Sequence, residues 1–192
     1  KNMGGAKGLN LDLSDKNSFD ELQKQLGENE LDVIIGGPPC QGFSLTGARN
    51  FDDERNKLYL AFIETVRRFT PKAFLIENVP GMANLYKGTV KDEIIKRFTK
   101  MGYTVSCQIV CAADYGVPQI RKRLIFVGLK GSDKKFEFPE PYLKEKDYIT
   151  CEQAIGDLPS LQTEDGEIIY GEEEQKYLCE PQNDYQKKMR AN

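Results

Sequence analysis

The sequence predicts an α/β fold built on a doubly wound, largely parallel sheet. Two observations carry this. Short apolar runs alternate with segments of helical periodicity over residues 1–131, and each of the first two runs ends in a loop rich in Gly, Pro or polar residues. At 192 residues and 39% hydrophobic content, the chain can bury one real core and is short for two.

Ser18-Phe19-Asp20-Glu21 fits a capping box, Phe19, Leu22 and Leu26 share one helical face, and Gly27 supplies the stop. Residues 31–35 (Leu-Asp-Val-Ile-Ile) read as a buried strand ending in Gly36-Gly37-Pro38-Pro39, which neither helix nor sheet continues through easily. Leu58, Phe62, Val66 and Phe69 repeat at helical spacing up to Pro71. A second strand, Ala73-Phe74-Leu75-Ile76, then runs into Glu77-Asn78-Val79-Pro80. Val90, Ile94, Phe98 and Met101 mark another amphipathic helix closed by Gly102, and residues 103–111 and 124–129 read as two final strands, antiparallel in the sheet. Beyond Gly131 prolines and acidic residues multiply, and Thr150-Cys151-Glu152-Gln153 is the one good helix start, so residues 132–192 read as a peripheral extension of the domain at 1–131.

Composition narrows the chemistry. Histidine is absent, which removes the commonest general base, Ser-His and Cys-His dyads, and most transition-metal sites. Five cysteines without a C-x-x-C pair point to reduced thiols and no zinc. No apolar run approaches the roughly 20 residues that cross a bilayer, and Lys1-Asn2-Met3-Gly4-Gly5 lacks a signal-peptide core, so a cytoplasmic protein without a membrane partner is expected. The net charge of −3 divides unevenly: residues 1–130 hold 19 Lys+Arg against 15 Asp+Glu, and residues 131–192 hold 8 against 15. The basic excess thus accompanies the motifs below, although a solvated surface produces such an imbalance equally well.

In an open α/β sheet ligands bind beyond the carboxyl ends of the strands, which directs the loops carrying Cys40 and Glu77 to one crevice. Cys40 is held by a stiff Pro-Pro segment on one side and followed by Gln41-Gly42 on the other, as suits a positioned nucleophile; a lone cysteine is otherwise more often a structural one. Arg121 and Arg123, two residues apart at the start of a strand, would project to the same face as a cationic pair, against the plainer alternative of surface salt bridging.

Pro38-Pro39-Cys40-Gln41-Gly42-Phe43-Ser44 resembles the nucleophile motif of the cytosine-5 DNA methyltransferases. Seven specified residues coincide by chance at on the order of 10⁻⁹ per start position. Further segments resemble the family's in order: Arg55 to Leu58, Glu77-Asn78-Val79, Gln119-Ile120-Arg121-Lys122-Arg123 and Thr150 to Pro159. The resemblance implies part of a Rossmann-like, S-adenosylmethionine-dependent methyltransferase sheet with helices on both faces, acting on double-stranded DNA. It implies Cys40 as the nucleophile at carbon 6 of a flipped-out cytosine, and Glu77 as the carboxyl group at ring nitrogen 3, kept partly neutral by burial. Arg123 would support the cytosine near its carbonyl with Arg121 contributing beside it, and Gln41 and Ser44 would meet the DNA within a mobile loop at 44–54.

By the same resemblance Asp12, Pro39 and Leu58 belong to the S-adenosylmethionine site, while the family's glycine-rich loop and second-strand acidic residue have no counterpart. Asp12 reads almost equally well as a turn residue. The chain resembles the middle of the family's domain, with its recognition region barely begun, and alone it is expected to bind the methyl donor poorly and to be inactive or marginal. Two rivals stand beside this reading. One is a tRNA cytosine-5 methyltransferase, whose motif usually has Pro-Phe-Thr where Gly42-Phe43-Ser44 stands here. The other is a non-catalytic nucleic-acid-binding protein, which would have no chemical need of Cys40, Glu77 and both arginines together.

Overall fold

The computed structural model describes residues 6–27, 29–39, 57–159, 176–177 and 179–191. The chain divides into two compact units: Lys1–Val110 with Lys122–Pro139, and Cys111–Arg121 with Glu140–Asn192.

In the first unit α1 (Lys16–Leu26) leads to β1 (Val33–Gly36), α2 (Lys57–Phe69), β2 (Ala73–Asn78), α3 (Thr89–Lys100), β3 (Tyr103–Cys111) and β4 (Lys122–Lys130). Helix α1 starts three residues before the expected capping box. Asp15 is its cap, with extended backbone and a side chain that accepts from Asn17 N–H, and Ser18 lies inside the helix. Gly27 ends it at φ +66°, as expected of a glycine stop.

The four strands lie in the order β1-β2-β4-β3. β1 and β2 are parallel, from Val33 opposite Ala73 to Gly36 opposite Ile76. β4 runs antiparallel to β2, with Phe74 opposite Gly128 and Asn78 opposite Leu124. The α/β class is therefore present, in a mixed sheet whose described residues include one parallel pair. The strand expected to be buried is not: among the described residues β1 is an edge strand, and Val33 and Ile35 are exposed on it.

Alternation along β2 decides what faces the core. Phe74, Ile76 and Asn78 are buried, whereas Ala73, Leu75 and Glu77 are half-buried on the opposite side. Phe74 anchors the core: its ring lies 4.1 Å from Phe98 of α3, 5.1 Å from Tyr103 and 6.5 Å from Phe62 of α2, centroid to centroid. Val66, Ile94, Leu124 and Phe126 fill the same cluster. Of the helical spacings read from the sequence, Phe62 and Val66 of α2 and Val90, Ile94 and Phe98 of α3 face the core, whereas Leu58 is exposed.

The second unit carries α4 (Cys151–Ile155) and α5 (Asp184–Arg190). Thr150 caps α4 with both arms of the expected capping box. Asp157, almost fully buried, pairs with Arg190, whose Nε is 3.0 Å away and whose guanidinium lies 3.7 Å over the Tyr177 ring. A buried carboxylate needs such a partner to remain charged.

The described cysteines are free, with Cys107 half-buried, Cys111 buried, and Cys151 and Cys179 exposed. Burial pushes the Cys107 thiol up to about 11. At pH 8, iodoacetamide is expected to modify Cys151 and Cys179 readily and to reach Cys107 and Cys111 only after denaturant is added. Peptide mass mapping of the alkylated protein checks this, and rapid labelling of Cys107 in the folded protein would contradict the packing. Among the described residues no helix is long and apolar enough to cross a membrane, and no His, Cys, Asp and Glu group could hold a metal ion.

Candidate active site

The site forms at the carboxyl ends of the two parallel strands. β1 ends at Gly36 and β2 at Asn78, so Gly37-Pro38-Pro39 leaves the sheet beside Glu77 and Asn78, the last two residues of β2. Cys40, Gln41 and Ser44, with the loop at 44–54, lie outside the described residues. Pro39, immediately before Cys40, is within them.

Glu77 and Arg123 meet across the β2–β4 ladder. Arg123 Nε lies 2.5 Å from Glu77 Oε1, and Arg123 Nη1 donates to its neighbour's carbonyl, Lys122 O, at 2.7 Å. The guanidinium is thus anchored at one end and holds the carboxylate with the other. Glu77 is less buried than expected: its side chain is 39% exposed and lies against Arg123. The reason is alternation, since a position adjacent to buried Ile76 and Asn78 faces away from the core. Gly37 leaves room for it. A Cβ at Gly37 would stand 3.1 Å from Glu77 Oε2, a tight contact that the carboxylate would have to relieve by moving.

Arg121 precedes β4, belongs to the second unit and is exposed, while its carbonyl accepts from Ala112 N–H at 2.9 Å. Its neighbour Arg123 is the arginine placed on Glu77 in the first unit.

Sequence reasoning assigned no role to Asn78. It is 5% exposed; its Nδ2 donates to Pro38 O at 2.9 Å, and its Oδ1 accepts from Val79 N–H at 2.8 Å. The signal was available: two residues beyond Ile76 on a strand buried on that face, a polar side chain must find partners.

Asp12, Pro39 and Leu58, distant in sequence, line one cleft of about 300 Å³ with Leu11, Gly37 and Phe62. Its walls are mainly apolar and include one carboxylate. Asp12 also serves as a turn residue, its Oδ1 accepting from Ser14 N–H at 2.9 Å and Ser14 Oγ–H at 2.7 Å. The two readings of Asp12 are therefore compatible.

A family model described as C-5 cytosine-specific DNA methylase matches residues 5–192. The chain belongs to this family. Among curated relatives, the type II methyltransferase M.DdeI of Desulfomicrobium norvegicum is 41% identical, over 92% of this chain and 43% of that protein. The type II methyltransferase M1.HphI of Haemophilus parahaemolyticus is 40% identical, over 81% and 42%. The chain thus spans less than half the length of these relatives. Among solved structures, a DNA modification methyltransferase encoded within an Escherichia coli prophage superposes with a TM-score of 0.59 at 34% identity, covering 79% of this chain and 42% of its own. A DNMT2 variant of Spodoptera frugiperda, at 22% identity and TM-score 0.52 over 73% and 44%, shares the fold.

Proposed function

We propose that the protein transfers a methyl group from S-adenosylmethionine to carbon 5 of cytosine in double-stranded DNA, with Cys40 as a covalent nucleophile. One observation supports this most directly. Glu77, held by Arg123, stands at the carboxyl end of β2, beside the Pro38-Pro39 segment that leads from the parallel strand β1 into Cys40. The relatives named as type II methyltransferases and the family match support the reaction class.

Carbon 5 of cytosine is a weak nucleophile. The Cys40 thiolate adds to carbon 6, forming a sulfur–carbon bond and driving the ring electron pair toward nitrogen 3, where Glu77 donates a hydrogen bond or its proton. Carbon 5 is then an enamine carbon able to take up a methyl group, after which loss of the carbon 5 proton to a base and of the Cys40 thiolate from carbon 6 restores the ring. Arg123 holds Glu77 by the pairing described and would brace the cytosine carbonyl beside it, with Arg121 joining from the start of β4. S-adenosylmethionine supplies, when bound, an electrophilic methyl group on a sulfonium. The residues of the cleft fit such a group: Pro39 and Leu58 offer apolar contact to a purine, and Asp12 offers a carboxylate to hydrogen-bond donors. Gln41 and Ser44 would meet the DNA as the base is extruded, which costs a few kcal/mol of stacking and pairing.

A duplex carrying 5-fluorocytosine tests the reading, because fluorine at carbon 5 blocks the elimination that releases the cysteine. With S-adenosylmethionine the full-length protein is expected to form an adduct that survives denaturation, and Cys40→Ala to form none. An equal yield from Cys40→Ala would overturn the nucleophile, and labelled methyl entering tRNA rather than DNA would overturn the substrate.

A further inference from the structure

We propose that Asn78 is a positioning residue for the nucleophile, its side-chain amide tying the Pro38-Pro39 segment that leads into Cys40 to the strand that carries Glu77. This rests on the assignment of Cys40 and Glu77 above.

The backbone shows why a side chain is needed there. The parallel register of β1 and β2 ends with Gly36 opposite Ile76. Extended by two residues, it would set Pro38 opposite Asn78, but Pro38 and Pro39 have no N–H to give to a ladder. Asn78 Nδ2 donates instead to Pro38 O at 2.9 Å, joining the two segments where the backbone ladder has stopped. Oδ1 of the same amide accepts from Val79 N–H at 2.8 Å, which fixes the orientation of the group. Pro38 and Asn78 are both buried, so the bond is shielded from competing water.

Stiffness carries the constraint onward. Two consecutive prolines each lock φ near −65°, so fixing the Pro38 carbonyl restricts where Cys40 begins two residues later. Asn78 and Glu77 are adjacent and face opposite sides of β2. One residue therefore grips the segment that leads to the nucleophile while its neighbour presents the carboxyl group, so the Pro38 carbonyl and Glu77 are tied to the same end of β2. Attack on carbon 6 is sensitive to that spacing, since a misplacement of about 1 Å can cost on the order of 100-fold in rate.

Asn78→Asp keeps the acceptor for Val79 N–H and removes the donor to Pro38 O. Asn78→Leu removes both at similar volume, and serves alone should the aspartate variant not fold. Ile76→Val, two residues back on the same buried face, is the control for simple loss of packing. In the full-length protein, both Asn78 variants are expected to lower kcat and the rate of adduct formation on the 5-fluorocytosine duplex by on the order of 10- to 100-fold. KM for S-adenosylmethionine should change less than about threefold, and Ile76→Val should keep the unaltered kcat. Unchanged kcat and adduct rate in the Asn78 variants would overturn the proposal, as would an equal loss in Ile76→Val at the same thermal midpoint. If the unaltered protein forms no adduct, the reading of Cys40 fails and this proposal with it; adduct formation that is normal in the unaltered protein and in both Asn78 variants sinks the positioning role alone.

Discussion

Gly128→Ala is expected to destabilise the protein by about 3 kcal/mol or more, at or beyond the upper end of the usual cost of overpacking. A Cβ at that position would lie 2.1 Å from Phe74 Cε1, 2.4 Å from Cζ and 2.7 Å from Cδ1. Gly128 and Phe74 are register partners on antiparallel strands, so the ring lies flat across the space that a side chain would occupy. The ring has nowhere to go. It is fully buried, with Phe98 at 4.1 Å and Tyr103 at 5.1 Å, and Tyr103 is itself held by a hydrogen bond from its hydroxyl to Pro71 O at 2.7 Å. Either the β2–β4 ladder opens or several aromatic side chains leave their rotamers.

Urea unfolding reads the effect as a lower midpoint at constant slope, with a thermal midpoint lower by roughly 6–12 °C for a chain of this size. A second substitution separates overpacking from backbone effects. If the ring is the obstacle, Phe74→Leu in the Gly128→Ala background costs less than the two single changes added together. A loss below about 0.5 kcal/mol for Gly128→Ala alone would contradict the close approach of ring and backbone.

This contact also shows where the sequence stops being legible. The stripes Phe62, Val66 and Val90, Ile94, Phe98 were readable because helical periodicity is a local property, and all five residues are in the core. Gly27 and the Thr150 capping box were readable for the same reason. Local signals failed where two of them competed, since Asp15 and Ser18 are both good caps and Asp15 won, and where burial depends on distant neighbours: Leu58 is exposed in its helical stripe, and Val33 and Ile35 are exposed on a strand read as buried. Partnerships across strands have no such signature. Gly128 read as an unremarked glycine in a strand, and its need for an absent side chain exists only because β4 is inserted next to β2.

The site divides in the same way. Cys40, Glu77 and Arg123 are proposed because their motifs resemble a family's, whereas the exposure and ion pairing of Glu77 follow from strand alternation and pairing that no motif states. Asp12, Pro39 and Leu58 were named by resemblance as one group, and they line one cleft. Asn78 stood inside a quoted motif without a role, because what it does depends on where the parallel ladder ends.

Glu77→Gln is expected to lower kcat by on the order of 100- to 1,000-fold while leaving stability nearly unchanged. Glutamine preserves the shape of the side chain and can still accept from Arg123, but it cannot give a proton to ring nitrogen 3. The stability cost is small because the lost ion pair is partly exposed, 39% at Glu77 and 23% at Arg123, where such pairs contribute about 1 kcal/mol or less. Arg123→Lys probes the other half. An ammonium lacks the planar fork that lets Nε hold Glu77 while Nη1 bonds Lys122 O, so the carboxyl group loses its fixed orientation and kcat falls by a smaller factor, on the order of tenfold. Because the arginine acts partly through the glutamate, the double variant should be far less impaired than the product of the two single losses. Single-turnover methyl transfer into duplex DNA measures all three. Full additivity would show that Arg123 works independently of Glu77, and an unimpaired Glu77→Gln would remove the proton-donating role from this carboxyl group.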